Sequence, residues 1–177
     1  LSTLQVVDGD VVIADTTALQ SVAGLEVLQT IGGTLYLARN AALGNLRALA
    51  HLEQLSRLTV VDNDALIDVA GFSQVEKLHD LLVVDNLHLR FMSGLKNLRS
   101  VEQHVILVAN DELADVGALR SLRRIGGHLV VIDHAALQDV SGLAGLSEVG
   151  GEIFVVNNQV LAASTLMQVV VNLRRTD

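Results

Sequence analysis

A 24-residue period runs through this chain and constrains its fold more than any single motif. Laid down from Leu4, the frame L-x-x-I-G-G-x-L-x-V-x-x-N-x-x-L-x-x-V-x-G-L-x-x fits seven successive segments: 4–27, 28–51, 52–74, 75–97, 98–121, 122–145 and 146–169. The third and fourth are one residue short, and the gap falls between the glycine pair and the strand. The sixteenth position is leucine in every copy: Leu19, Leu43, Leu66, Leu89, Leu113, Leu137 and Leu161. Five further aliphatic columns stand at positions one, four, eight, ten and twenty-two, the last running from Leu25 through Phe72 to Met167.

One 24-residue unit cannot bury its own apolar side, so identical units stack and share a continuous core. Alternation at positions eight to eleven predicts one short strand per unit. Stacking places these strands in parallel, roughly 4.8 Å apart, along a rod about 34 Å long. The expectation is a repeat solenoid of seven coils over residues 1–177, a right-handed β-helix or leucine-rich-repeat-like domain with little helix. The pairs Gly32-Gly33, Gly126-Gly127 and Gly150-Gly151 precede the strand, where a tight corner is expected to need backbone angles closed to other residues. Asn40, Asn63, Asn86, Asn110 and Asn158 close it, with amides able to bond the backbone as the chain turns. Thr16 and His134 take that place in the other two units.

Composition fits this reading. The chain has no proline, where average usage would give roughly nine; stacked coils ask most backbone N–H groups to donate to a neighbour, and proline has none. Half the residues are hydrophobic and the mean hydropathy is +0.46. No apolar run approaches the roughly 18 residues of a membrane span. Absent cysteine excludes disulfides, thiol catalysis and cysteine-based metal sites. A net charge of −8 argues against nucleic acid or an anionic membrane as the main partner.

IGGTLYLARNAAL at 31–43 and IGGHLVVIDHAAL at 125–137 carry the pattern I-G-G-x-L-x-L-x-x-N-x-x-L. In this the chain resembles leucine-rich repeats of the receptor L-domain type, found in insulin- and EGF-receptor ectodomains and in microbial surface proteins. The resemblance covers essentially the whole chain. It implies a solenoid at the cell surface or outside the cell, and a protein partner.

The ends admit two readings. Leu1 stands 24 residues before Leu25, and Val170 and Leu173 fall on the first and fourth columns of an eighth unit, as in a segment of a longer solenoid. Alternatively, Ser164 or Thr165 caps a short helix whose Leu166, Val169, Val170 and Leu173 close the core.

The outward side of the strands is the candidate partner-binding face. Position nine gives Val12, Tyr36, Thr59, Leu82, Ile106, Val130 and Phe154; position eleven gives Ala14, Ala38, Val61, Val84, Val108, Ile132 and Val156. Thirteen of these fourteen are apolar, whereas a solvated sheet face alternates apolar with polar, so this face is expected to be covered. Other groups suggest weaker chemistry. Asp62 and Asp85, with Asp64 near, could hold calcium or act as paired carboxylates, but they match no calcium loop and lack a base or oxyanion donor. Solvated turn aspartates explain them better. His104 and His128 share position seven and would stack, a thin zinc site without a third ligand; His51, His79, His88 and His134 share no column with either. Arg99, Arg120, Arg123 and Arg124 form a local basic stretch with acids interleaved.

Taken together, these features predict a non-catalytic protein-recognition or adhesion module without cofactor or metal, using its sheet face. The alternative is a structural scaffold or subunit whose sheet face is permanently buried in a larger assembly.

Overall fold

The protein is described over residues 1–173 by a computed structural model. Each coil sends one strand into a single parallel sheet: Val11–Ala14, Thr30–Ala38, Gln54–Val61, Asp80–Val84, Val105–Val108, Leu129–Ile132 and Ile153–Val156. Seven strand layers are thus joined by six turns of about 24 residues, and the fold is a parallel β-solenoid. Register follows the columns. Position eight illustrates it: Val11 pairs with Leu35, Leu35 with Leu58, Leu58 with Leu81, Leu81 with Val105, Val105 with Leu129, and Leu129 with Ile153. The missing residue of coils three and four is absorbed where the frame put it. Ile31 pairs with Leu55, 24 residues on, but Thr34 pairs with Arg57, 23 on, so a bulge lies between them.

Two further sides close each coil. Lys77–Leu78, Ser100–Val101, Arg124–Ile125 and Glu148–Val149 form a second, four-stranded parallel sheet at the glycine corner. The third side carries short 3-10 turns, Arg47–Leu49, Ser93–Leu95, Gly117–Ser121 and Ser141–Leu143, tied by single parallel bridges such as Asp68 with Phe91.

Inside, the aliphatic columns form one continuous core from Val22 to Val169. The valine position of the frame, its nineteenth, forms a further inward column: Val22, Leu46, Val69, Met92, Val116 and Val140 are all buried. Its residues vary among valine, leucine and methionine, all of which fill the space beside the all-leucine column. Coil one is less complete, since Leu4, Val7, Val11 and Ile13 are only partly buried.

The glycine pairs need a different explanation from the expected one. Among the described residues, the glycines with positive φ are Gly24 and Gly71, and neither belongs to a pair. What the corner lacks is room: a Cβ on Gly126 would overlap the Glu102 carbonyl oxygen, and one on Gly150 the Gly126 carbonyl oxygen. The coils stack so closely there that only a residue without a side chain fits.

Asparagine does more than close the strand. Asn40, Asn63, Asn86 and Asn110 are fully buried and bond one another from coil to coil. The N–H groups of Asn40, Asn63 and Asn86 donate to the side-chain oxygens of Asn63, Asn86 and Asn110 at 3.2, 3.1 and 3.2 Å. The Nδ2 atoms of Asn63, Asn86 and Asn110 donate to carbonyls two residues back and in the preceding coil, as Asn86 does to Val84 O and Val60 O, while that of Asn40 reaches Ile13 O. Buried polar groups that satisfy each other in this way hold the layers in one register.

At the C-terminal end the helix reading holds. An α-helix spans Ala163–Leu173, with Val169 buried and Leu166 packed against the core. Ser164 and Thr165 lie inside its first turn, not ahead of it, and the Thr165 hydroxyl donates to Ala162 O. Met167, which the frame placed in a core column, sits on this helix with 59% of its surface exposed. The eighth-unit reading of Val170 and Leu173 fails because both belong to the helix backbone; their side chains lie outside those described.

Candidate binding face

The sheet brings the candidate face together as two adjoining rows. Val12, Tyr36, Thr59, Leu82, Ile106, Val130 and Phe154 are successive register partners, and so are Ala14, Ala38, Val61, Val84, Val108, Ile132 and Val156. Strand pleating points both rows outward while positions eight and ten fill the core in coils two to six; in coil seven, with no strand stacked beyond it, Ile153 of position eight is exposed and Val155 only partly buried. In coils two to six these side chains are half-buried by their own neighbours, and Ala38 is fully buried. At the ends, Val12, Phe154 and Val156 are exposed. The surface is therefore a continuous apolar strip with one polar interruption, Thr59.

Polar columns rim this strip on both sides, and backbone geometry explains each. Position twelve is left-handed in every coil: Asp15, Arg39, Asp62, Asp85, Ala109, Asp133 and Asn157 have φ between 51° and 60°. Aspartate and asparagine tolerate that region better than other residues with a side chain. The acidic column, Asp62 and Asp85 included, is thus accounted for by the bend that ends each strand. Asp15 pairs with Arg39 at 2.6 Å, a hydrogen bond that holds its carboxyl below the usual carboxylate range.

Position seven forms the opposite rim, where a side-chain acceptor repeatedly takes the backbone N–H of the coil above. Asp10 accepts from Thr34, Asp80 from His104, His104 Nδ1 from His128, and His128 Nδ1 from Glu152, at 2.6, 3.1, 3.0 and 2.9 Å. His104 and His128 stack as expected, with ring centroids 5.0 Å apart and planes 8° from parallel. Their Nδ1 lone pairs are committed to the backbone, which gives the stacking a structural reason. Partial burial pushes the Asp80 carboxyl up, but hydrogen bonds from His79, the His104 N–H and Arg57 outweigh it and leave it below the usual range. Around the basic stretch, Arg99 pairs with Glu76 and Arg124 with Glu148, while Arg123 donates to the carbonyls of Arg120 and Leu122.

Several exposed apolar residues, Ile67, Leu87, Phe91 and Val160 among them, fall outside the columns. Ile67 and Phe91, 50% and 55% exposed, lie on the third side, away from the sheet face. For Phe91 the signal was a break in position eighteen, which is Ser21, Asn45, Asp68, Asp115 and Asp139 in coils one to three, five and six but Phe91 in coil four. Among the described residues there is no group of three or more histidine, cysteine or acidic side chains placed to hold a metal ion, and no helix long and apolar enough to cross a membrane. The chain matches no protein-family model, no curated protein and no solved structure.

Proposed function

We propose that this solenoid is a non-catalytic recognition or adhesion module that docks a protein partner on its outward sheet face. One observation carries the reading: the seven strands present two apolar rows, interrupted only at Thr59, where a solvated sheet would show alternation. An apolar strip framed by polar columns is the anatomy of a protein interface, with a desolvated centre and a wet rim. The resemblance of IGGTLYLARNAAL to leucine-rich repeats of receptor L domains supports a place at the cell surface. A parallel β-solenoid is compatible with that type, since a repeated coil with a short strand is common to both.

The test is dye binding by the isolated chain and by the double variant Leu82→Lys with Ile106→Lys. The unaltered chain should bind a hydrophobic dye or self-associate; the double variant should lose both while its circular dichroism is unchanged. A monomer that binds no dye would overturn the proposal.

A further inference from the structure

On the third side, two clefts of about 490 and 260 Å³ meet at Phe91, and the first also reaches Ile67. Neither belongs to the sheet face. At Phe91 the chain departs from its own repeat at a cost to the fold, and that cost is met elsewhere. In coils two, five and six the residue at position eighteen accepts the N–H two residues ahead: Asn45 from Arg47, Asp115 from Gly117, Asp139 from Ser141. Phenylalanine cannot accept that bond. Instead Asp68, one coil below, reaches up to take both the Ser93 N–H at 2.8 Å and its hydroxyl at 2.6 Å. Position 91 is thereby released from its backbone duty and carries a large exposed aromatic, one of only four aromatics in the chain. Places where a repeat breaks its own local rule are where functional or strained positions are expected.

Charge points the same way. Among the described residues, Arg39, Arg57, Arg90, Arg99 and Arg124 have carboxylate partners, and Arg123 bonds carbonyls. Four basic side chains among those described have neither: Arg47, Lys77, Lys96 and Arg120. Three of the four line the clefts that meet at Phe91, Arg47 in one and Lys96 with Arg120 in the other. The carboxylates there are Asp68, whose two oxygens serve Ser93, and Asp115, with one oxygen on Gly117. So in a chain of net charge −8, these cations gather around its most exposed phenylalanine.

We infer that this groove binds an extended acidic peptide segment, with an apolar side chain seated against Phe91 and Ile67 and carboxylates on Arg47, Lys96 and Arg120. Aromatic and arginine contacts of this kind dominate binding energy at protein surfaces. Cations on both flanks of one aromatic favour an anionic chain running past it.

The test uses the full chain and a fluorescein-labelled octapeptide of aspartates and glutamates around a central leucine, followed by fluorescence anisotropy. Binding should weaken at least about 10-fold in the triple variant Arg47→Glu, Lys96→Glu, Arg120→Glu, and at least about 5-fold in Phe91→Ser, both folded by circular dichroism. It should also weaken as salt is raised from about 50 to about 300 mM, as screening demands. Leu82→Lys with Ile106→Lys should leave it unchanged, which separates this groove from the sheet-face proposal. No binding at about 1 mM peptide, equal affinity for a lysine-rich peptide of the same length, or an unchanged affinity in the triple variant would each overturn the inference.

Discussion

His134 is the point where the asparagine ladder fails. Its Nδ1–H donates to Ile132 O at 2.7 Å, imitating the bond that Asn63, Asn86 and Asn110 each make two residues back. That fixes Nε2 as a bare acceptor, and it is the buried side-chain nitrogen or oxygen without a partner among the described residues. The side chain also removes the oxygen that would receive the Asn110 N–H, the bond made one coil earlier by Asn86 to Asn110. Burial holds the imidazole pKa below its ordinary value, against the weaker opposing effects of the hydrogen bond to Ile132 O and of Asp111 and Asp133. The unfolded chain therefore takes up this proton near pH 6.5 while the folded chain resists it, so stability falls as pH drops below about 6.5. His134→Asn restores the oxygen and the two amide donors. It should raise unfolding free energy by about 1–2 kcal/mol at pH 7, with a larger gain at pH 5.5, read from urea midpoints at both values. A variant no more stable than the parent at either pH would show that the ladder tolerates the ring. Ala109 offers a second residue-scale gain. It holds φ of 51° without the side chain that makes this region tolerable, so Ala109→Asn or Ala109→Gly should add about 1 kcal/mol by the same measurement.

The elements were legible in proportion to how strictly packing repeats them. Strands, their register and the one-residue gap in coils three and four follow from columns that each coil must fill, because a slip of one residue would turn the core outward. The glycine pairs were legible as a corner but not as a close approach, since sequence shows which residue is absent and not which carbonyl it avoids. Gly126→Ala separates these accounts. With φ outside the left-handed region, alanine would cost little by conformation, yet its methyl meets the Glu102 carbonyl, and we expect a loss of at least about 2 kcal/mol. Of the candidate face, the apolar rows and the stacked histidines could be read directly. The groove at Phe91 was legible only as a break in position eighteen, because the bond by which Asp68 reaches across coils to Ser93 is one that no period predicts. The terminal helix was ambiguous because leucine and valine spaced for a helix also fell on the columns of a further coil. Its packing now gives a test: Val169→Asp places an unpaired charge against the core and should strip hydrogen-exchange protection from 153–173 while coils two to five keep theirs.

A solenoid of this kind is a one-dimensional object in which each coil is stabilised by itself and by its two neighbours. Inner coils bury every column, whereas in coil one Leu4, Val7, Val11 and Ile13 remain partly open and Val6 and Val12 are exposed. The sheet edge there has a strand on one side only. At the other end, the helix Ala163–Leu173 lies across the core beside the 3-10 turn Ser141–Leu143. Stability should accordingly be graded, lowest in coil one and highest in coils three to five. Amides of Val11–Ala14 should exchange at least about 10-fold faster than those of Asp80–Val84 in native-state hydrogen exchange, each 10-fold step being about 1.4 kcal/mol of local opening. Uniform protection along the rod would mean that the chain opens only as a whole, and the nearest-neighbour picture would fail. The gradient also bears on recognition. A partner docking on the sheet gains most where the rows need no ordering, around Leu82, Ile106 and Val84, and least at Val12. Lysine at Leu82 should therefore weaken binding far more than lysine at Val12, even though Val12 is the more exposed of the two.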